Sequence, residues 1–235
     1  MKVILTPGHT LTAPGRTAPD GLTEREVVEG VARHLVSALG RRMVKAEIMA
    51  PPAGSPGDAA QSLADRIADE QLDVDMLLVL HCAWNDQPDA YGARCLYPPG
   101  SEESRLLAQC LLRRFPRTEW AKAVPGGDTL LGLATCPAVT VELDHLSNPE
   151  VAALMRVDDW RRKVADNLVE GVFSFIGPQD IKIVVDGQEI YCDPAPQEVF
   201  NDVMVPVRVI ASASGARVRW DARRRIVFID TTAAP

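Results

Sequence analysis

Two of the four histidines, His9 and His81, sit at or just past the ends of short apolar runs of strand length. Two glutamates, Glu24 and Glu142, complete a set able to do metal chemistry. In a parallel α/β sheet, sites form at the carboxyl ends of the strands. His9 follows the run at 3–5 within TPGHT, His81 ends MLLVLH, and Glu24 opens a helical stretch. Glu142 lies inside AVTVEL, an apolar strand in which a carboxylate is almost never buried without a partner or a task. Brought to one sheet edge, these groups would form a two-histidine, one-carboxylate metal site plus a free carboxylate. Zinc accepts imidazole and carboxylate ligands in a tetrahedral site, and a catalytic site leaves the fourth position to water. The metal acidifies water and polarises a carbonyl while an unligated glutamate moves the proton, so the expected chemistry is amide hydrolysis.

Each residue also has a plainer role open to it. A lone histidine at a strand end is more often a hydrogen-bonded structural group than a ligand. Thr23 followed three residues later by Glu26 has capping-box spacing, which assigns Glu26 to the helix backbone and leaves Glu24 to face the metal. His34, on a helix flank, reads as solvated. His145 lies three residues after Glu142 and is either a neighbour of the site or a surface-turn histidine.

The elements that must position these residues are legible as alternating patterns. Apolar runs at 3–5, 44–49, 76–80, 94–97 and 138–143 alternate with stretches of helical period, which predicts an α/β fold with a mostly parallel sheet flanked by helices. Val27, Val28, Val31, Leu35, Ala38 and Leu39 recur at three- and four-residue spacing before Gly40, an amphipathic helix with a glycine stop. Further helices are expected over 58–70, 101–115 and 158–176, with a cap and first-turn proline at Asn148-Pro149. The stretch 51–57, PPAGSPG, reads as a loop. After Gly177 the pattern changes to short β-branched runs, IKIVV, VMVPVRVI, ARVRW and RIVFI, with a two-residue hairpin signal at Asp186-Gly187. The chain therefore divides into residues 1–177 and a small β-rich domain at 178–235.

The 235 residues, 46% hydrophobic and 24% charged, exclude a disordered or collagen-like chain. A net charge of −7 argues against nucleic acid as the main partner. Residues 178–235 hold eight acidic and seven basic side chains, so the acidity belongs mainly to the first part. Cys82, Cys95, Cys110, Cys136 and Cys192 form no C-x-x-C pair and are odd in number, which points to buried thiols rather than a zinc knuckle or disulfide set. The four-residue apolar run before Pro7 is too short for a signal-peptide core, and no membrane span is expected.

The order of these residues resembles the zinc-dependent N-acetylmuramoyl-L-alanine amidases of the Amidase_3 family, peptidoglycan hydrolases with an α/β fold. The matching pieces are PGH at 7–9, GLTEREVV at 21–28, LHCAWN at 80–85 and VTVELDHLSNPE at 139–150. The resemblance implies one zinc ion bound by His9, Glu24 and His81, with Glu142 as the catalytic acid/base. Asn85 and His145, inside two of these motifs, are expected to touch substrate or support the ligands. The first histidine usually stands in D-P-G-H-G-G, here Thr6-Pro7-Gly8-His9-Thr10, and the familiar G-F-L-S-N is Asp144-His145-Leu146-Ser147-Asn148; neither departure removes a ligand.

The tail from 181 to 230 is similar to the copper amine oxidase N-terminal-like domain, through VVDGQEI, VPVRVIASASGARVRWD and RRRIVFID. It contains no histidine, so copper is not expected. Contact with the cell wall or with another subunit is the expected use of this domain. Arg217, Arg219, Arg223, Arg224 and Arg225 could meet wall phosphates, or could simply solvate a hairpin. The expected place of action is the cell wall, outside the cell, by phage-type lysin release or after loss of a leader. The rival readings are a zinc peptidase or amidase acting on another amide, such as one in the stem peptide, and a non-catalytic wall-binding protein.

Overall fold

A computed structural model describes all residues except 10–12, 54–55, 70–72, 88, 117–120, 128, 178–182, 191–195, 200–201 and 232–235. These residues fall into two compact units, Met1–Phe175 and Ile176–Pro235.

The first unit is built on six strands: β1 (Lys2–Pro7), β2 (Lys45–Ile48), β3 (Met76–Ala83), β4 (Arg94–Tyr97), β5 (Ala123–Pro125) and β6 (Ala138–His145). Their order across the sheet is β2-β1-β3-β6-β4-β5. The junctions of β1 with β2, β1 with β3, β3 with β6 and β4 with β5 are parallel, and β4 runs antiparallel to β6. The central strands are covered on both faces, which is why they read as continuous apolar runs instead of alternating ones. Six helices flank the sheet: α1 (Glu24–Arg41), α2 (Pro56–Asp69), α3 (Glu102–Leu112), α4 (Thr129–Leu133), α5 (Pro149–Arg156) and α6 (Asp158–Ile176).

Strand alternation divides the apolar residues between two cores. Val3, Leu5, Leu78, Leu80, Val139 and Val141 point into the larger one, with residues of α1, α3, α5 and α6. Ile4, Leu77, Val79 and Ala138 point into the smaller one, with Leu63 of α2 and Leu130 and Leu131 of α4. Each fully buried leucine stabilises the fold by about 1.5–3 kcal/mol relative to an exposed one. No helix among the described residues is long and apolar enough to cross a membrane.

Helix α1 begins as its sequence predicts. Thr23 is the N-cap, and its hydroxyl and the Glu26 carboxylate satisfy each other's backbone N–H groups in a complete capping box. Ser101 caps α3 through the Ser104 N–H, and the Asn148 side chain caps α5 at Pro149. Sequence periodicity did not reveal β5 or α4, elements of three and five residues, too short to show a period.

The second unit contains β7 (Ile183–Val185), β8 (Gln188–Ile190), β9 (Gln197–Val199), β10 (Asp202–Met204), α7 (Val207–Ala213), β11 (Arg217–Asp221) and β12 (Ile226–Asp230). It forms three two-stranded antiparallel ladders. Asp186 and Gly187 both have positive φ, as a primed hairpin turn between β7 and β8 requires. One expectation is corrected here. VMVPVRVI is not a single β run: its first residues lie in β10, and after Pro206 the chain turns into α7. Pro206 presets the N-cap backbone of a helix, and the small residues Ala211, Ser212 and Ala213 carry it to Gly215, whose positive φ ends it. Residues 181–182 and Cys192 lie outside the described residues.

Candidate active site

Alternation along the strands puts His81, Glu142 and Arg94 on the α2/α4 face of the sheet, because their neighbours Leu80, Cys82, Val141, Leu143 and Cys95 all belong to the opposite core. The registers then line them up. His81 pairs with Glu142 across β3 and β6, and Glu142 pairs with Arg94 across β6 and β4. The result is one row of chemistry-bearing residues at the carboxyl ends of β3 and β6, where α/β folds form sites.

β1 and α1 supply the remaining members. β1 ends at Pro7, and the Gly8 N–H donates to the Leu80 carbonyl at 2.9 Å, which brings His9 beside His81. The two imidazole rings meet edge to face, with centroids 4.8 Å apart. Glu24, the first residue of α1, is 2% exposed and faces both rings. His9 Nε2 donates to Glu24 Oε2 at 2.9 Å, and His81 Nδ1 donates to Glu24 Oε1 at 3.0 Å. The backbone N–H of Cys82 donates to Oε1 at 2.8 Å and that of Arg16 to Oε2 at 3.1 Å. Burial opposes the charge on Glu24, but these four donors outweigh it and hold the carboxyl well below the usual carboxylate range.

Two glycines make the approach possible. A Cβ on Gly8 would lie 1.8 Å from His81 Nε2, and one on Gly15 would lie 2.5 Å from Glu24 Oε2. Gly15 also has φ of +79°, a conformation that side chains other than glycine adopt at a cost. The ligand-type atoms of His9, Glu24 and His81 all lie within 4.8 Å of one another. Tetrahedral zinc, with bonds of about 2.1 Å, needs its ligands roughly 3.4 Å apart. The cluster could therefore hold one metal ion after small side-chain shifts.

Glu142 stays outside this cluster. Its carboxylate is mostly buried, and Arg94 Nε donates to its Oε2 at 2.5 Å. That bond, together with the negative charge it brings beside the guanidinium, raises the affinity of Arg94 for its proton. Glu26, occupied by the cap, does not face the cluster. The Asn85 carboxamide accepts the Gln87 N–H at 2.9 Å and shapes the loop after β3, while its backbone N–H donates to the Ser147 hydroxyl. His145 is the buried last residue of β6, not a surface-turn residue, and burial lowers its proton affinity. His34 is not simply solvated, since it pairs with Asp158 at 2.8 Å. Arg94 is the residue that sequence reasoning missed. Only the antiparallel register of β4 against β6 places it opposite Glu142, and nothing in the pattern of 94–97 reports strand direction.

The site is thus a metal-capable two-histidine, one-carboxylate cluster with a separate carboxylate one strand away on an α/β sheet. A family model described as N-acetylmuramoyl-L-alanine amidase matches residues 3–174. A second, described as copper amine oxidase N-terminal domain, matches 176–231. No curated protein matches the chain. Among solved structures, the CwlD amidase from Clostridioides difficile, in complex with the GerS lipoprotein, is similar at a TM-score of 0.65 and 17% identity, covering 74% of this chain and 98% of that one. The Ami1 amidase from Mycobacterium smegmatis gives a TM-score of 0.61 at 22% identity, covering 76% and 98%. The catalytic domain of an endolysin targeting Clostridia difficile gives 0.63 at 18%, covering 74% and 97%. The chain belongs to the N-acetylmuramoyl-L-alanine amidase family, whose members are peptidoglycan hydrolases, and it carries a copper amine oxidase N-terminal-like domain behind the amidase domain.

Proposed function

We propose that residues 1–177 hydrolyse the amide between N-acetylmuramic acid and L-alanine of peptidoglycan, using one zinc ion held by His9, Glu24 and His81. The observation that supports this most is the convergence of those three side chains beside Glu142, in a chain whose family is named for that bond. Two imidazoles and a carboxylate are donors that zinc accepts. When bound, zinc supplies the Lewis acidity that polarises the scissile carbonyl and acidifies water.

The chain's own residues do the rest. Glu24, anchored by the Cys82 and Arg16 N–H groups, holds both imidazoles in place, so the ligand set is oriented before a metal arrives. Glu142 accepts the proton from the attacking water and returns it to the leaving L-alanine nitrogen. Arg94 ties down Glu142 Oε2, which fixes the plane of the carboxylate and leaves Oε1 for that transfer. Placement on strands keeps these groups within the tolerance that proton transfer needs. The C-terminal unit serves as an accessory contact with the cell wall or another subunit, and the enzyme acts at the wall, outside the cell. Light scattering with and without residues 178–235 separates the two uses.

Glu142→Gln is expected to keep zinc and lose activity by about 10²–10⁴-fold, the range for a lost proton-transfer group. His81→Ala is expected to lose both. Zinc titration and turnover on purified peptidoglycan check the pair; undiminished turnover by Glu142→Gln overturns the assignment.

A further inference from the structure

The row of residues on the α2/α4 face of the sheet continues past Glu142. Arg94 lies next to it on β4. Cys95 pairs with Ala123 across β4 and β5, and the Cys95 N–H donates to the Lys122 carbonyl at 3.1 Å, so Lys122 falls beside Arg94. Ala123 packs with the larger core, which turns Lys122 to the same face as Arg94 and Glu142. Lys122 is exposed, and the Arg94 side chain is 39% exposed. Arg94 spends only Nε on Glu142; among the described residues its two terminal nitrogens make no hydrogen bond, and Lys122 makes no ion pair. In a chain of net charge −7, two neighbouring cations stand in line on the β4/β5 side of Glu142.

Resting on the amidase reading above, we infer that Arg94 and Lys122 form a subsite for a carboxylate on the peptide side of the scissile amide. The muramic acid side of that bond carries no free carboxylate, because its lactyl carboxyl is consumed in the amide. The ligand is therefore the free carboxylate of the acidic residue that follows L-alanine. The lengths are compatible: two residues of extended peptide span about 7 Å, which falls between the one strand spacing of about 5 Å from Glu142 to Arg94 and the two spacings of about 10 Å to Lys122. The charges agree as well. Glu142 would repel an incoming carboxylate, and Arg94 stands between them as a planar donor suited to carboxylates, with Lys122 as a flexible second charge. Arg94 thereby serves both groups at once, Glu142 through Nε and the substrate through its terminal nitrogens.

The test uses two muropeptides identical except that the carboxylate after L-alanine is free in one and a carboxamide in the other, assayed with the zinc-loaded full chain. The wild type is expected to prefer the free carboxylate by about tenfold in kcat/KM, mostly through KM, the scale of one charge-assisted contact at a half-exposed site. Lys122→Gln and Arg94→Gln are each expected to shrink that ratio. A merely structural defect lowers both substrates together and leaves the ratio at its wild-type value. A wild-type ratio near one, or an unchanged ratio in Lys122→Gln, overturns the subsite while leaving the amidase reading intact. Cleavage of neither substrate by the wild type overturns the amidase reading, and the subsite with it.

Discussion

The two units of this chain bury their apolar residues to very different degrees. In Met1–Phe175 two continuous cores sandwich a six-stranded sheet, and Val3, Leu35, Leu78, Leu80 and Val139 are fully enclosed. In Ile176–Pro235, Ala211 is the one buried apolar residue among those described, and Trp220, Val227 and Ile229 remain about half exposed on one side of the β11–β12 hairpin. Two-stranded ladders have little area to bury, and a unit of this size is near the lower limit for a self-supporting core. The lesson is where precision resides. Every residue of the candidate site stands on or next to an element whose other face is locked into the large core, so side-chain positions there are set by packing. In the second unit side chains rest on local contacts within a hairpin, such as Arg219 over the Phe228 ring.

Substitutions sharpen this contrast. The largest effect is expected from Gly8→Ala, whose new methyl collides with the His81 ring; zinc affinity and turnover should each fall by a hundredfold or more, about the upper end for disturbed ligand positioning. Isothermal titration with zinc checks it, and near-normal affinity would show that the His81 ring can move away from position 8 at little cost. Next comes Leu78→Ala, which opens a cavity in the main core and should cost about 2–5 kcal/mol in urea unfolding. The matching truncation in the second unit, Trp220→Ala, should change the unfolding free energy of the first by no more than about 0.5 kcal/mol, as expected of an exposed site. Equal losses from the two variants would erase the contrast.

A smaller effect concerns thiol chemistry. Burial pushes the Cys136 thiol up to about 11, and burial raises Cys82 and Cys95 as well, with the charges of Glu24 and Glu142 adding to it respectively. Thiolate is the reactive form, so a raised value slows alkylation at neutral pH. Cys136 labelling, read by peptide mapping, should be slow at pH 7 and rise about tenfold per pH unit towards 11. Cys82 and Cys95 should stay unlabelled until the first unit unfolds; prompt labelling of either at pH 7 would contradict their burial.

Much of this was legible from residues alone. Central strands announce themselves because burial on both faces demands unbroken apolar runs, and α1 because Thr23 and Glu26 mark its start. The same cap logic separates Glu24 from Glu26, which the capping box occupies. What stayed hidden depends on contacts between distant segments. The direction of β4, and with it the Arg94–Glu142 pair, is decided by its antiparallel pairing with β6, and strand periodicity is blind to direction. The helix after Pro206 was hidden because Val207, Val209 and Ile210 carry strand propensity, which the proline cap and the small residues behind them override. His145 could not be placed because burial at a strand end depends on the packing of the next loop.

Mass spectrometry of the products released from purified peptidoglycan, with zinc and with a chelator, tests substrate, bond and metal together. Free stem peptides bearing an unblocked L-alanine amine, formed with zinc and absent with chelator, are the expected result. Peptides that stay attached to glycan, cleavage at another amide, or release that survives the chelator would contradict it.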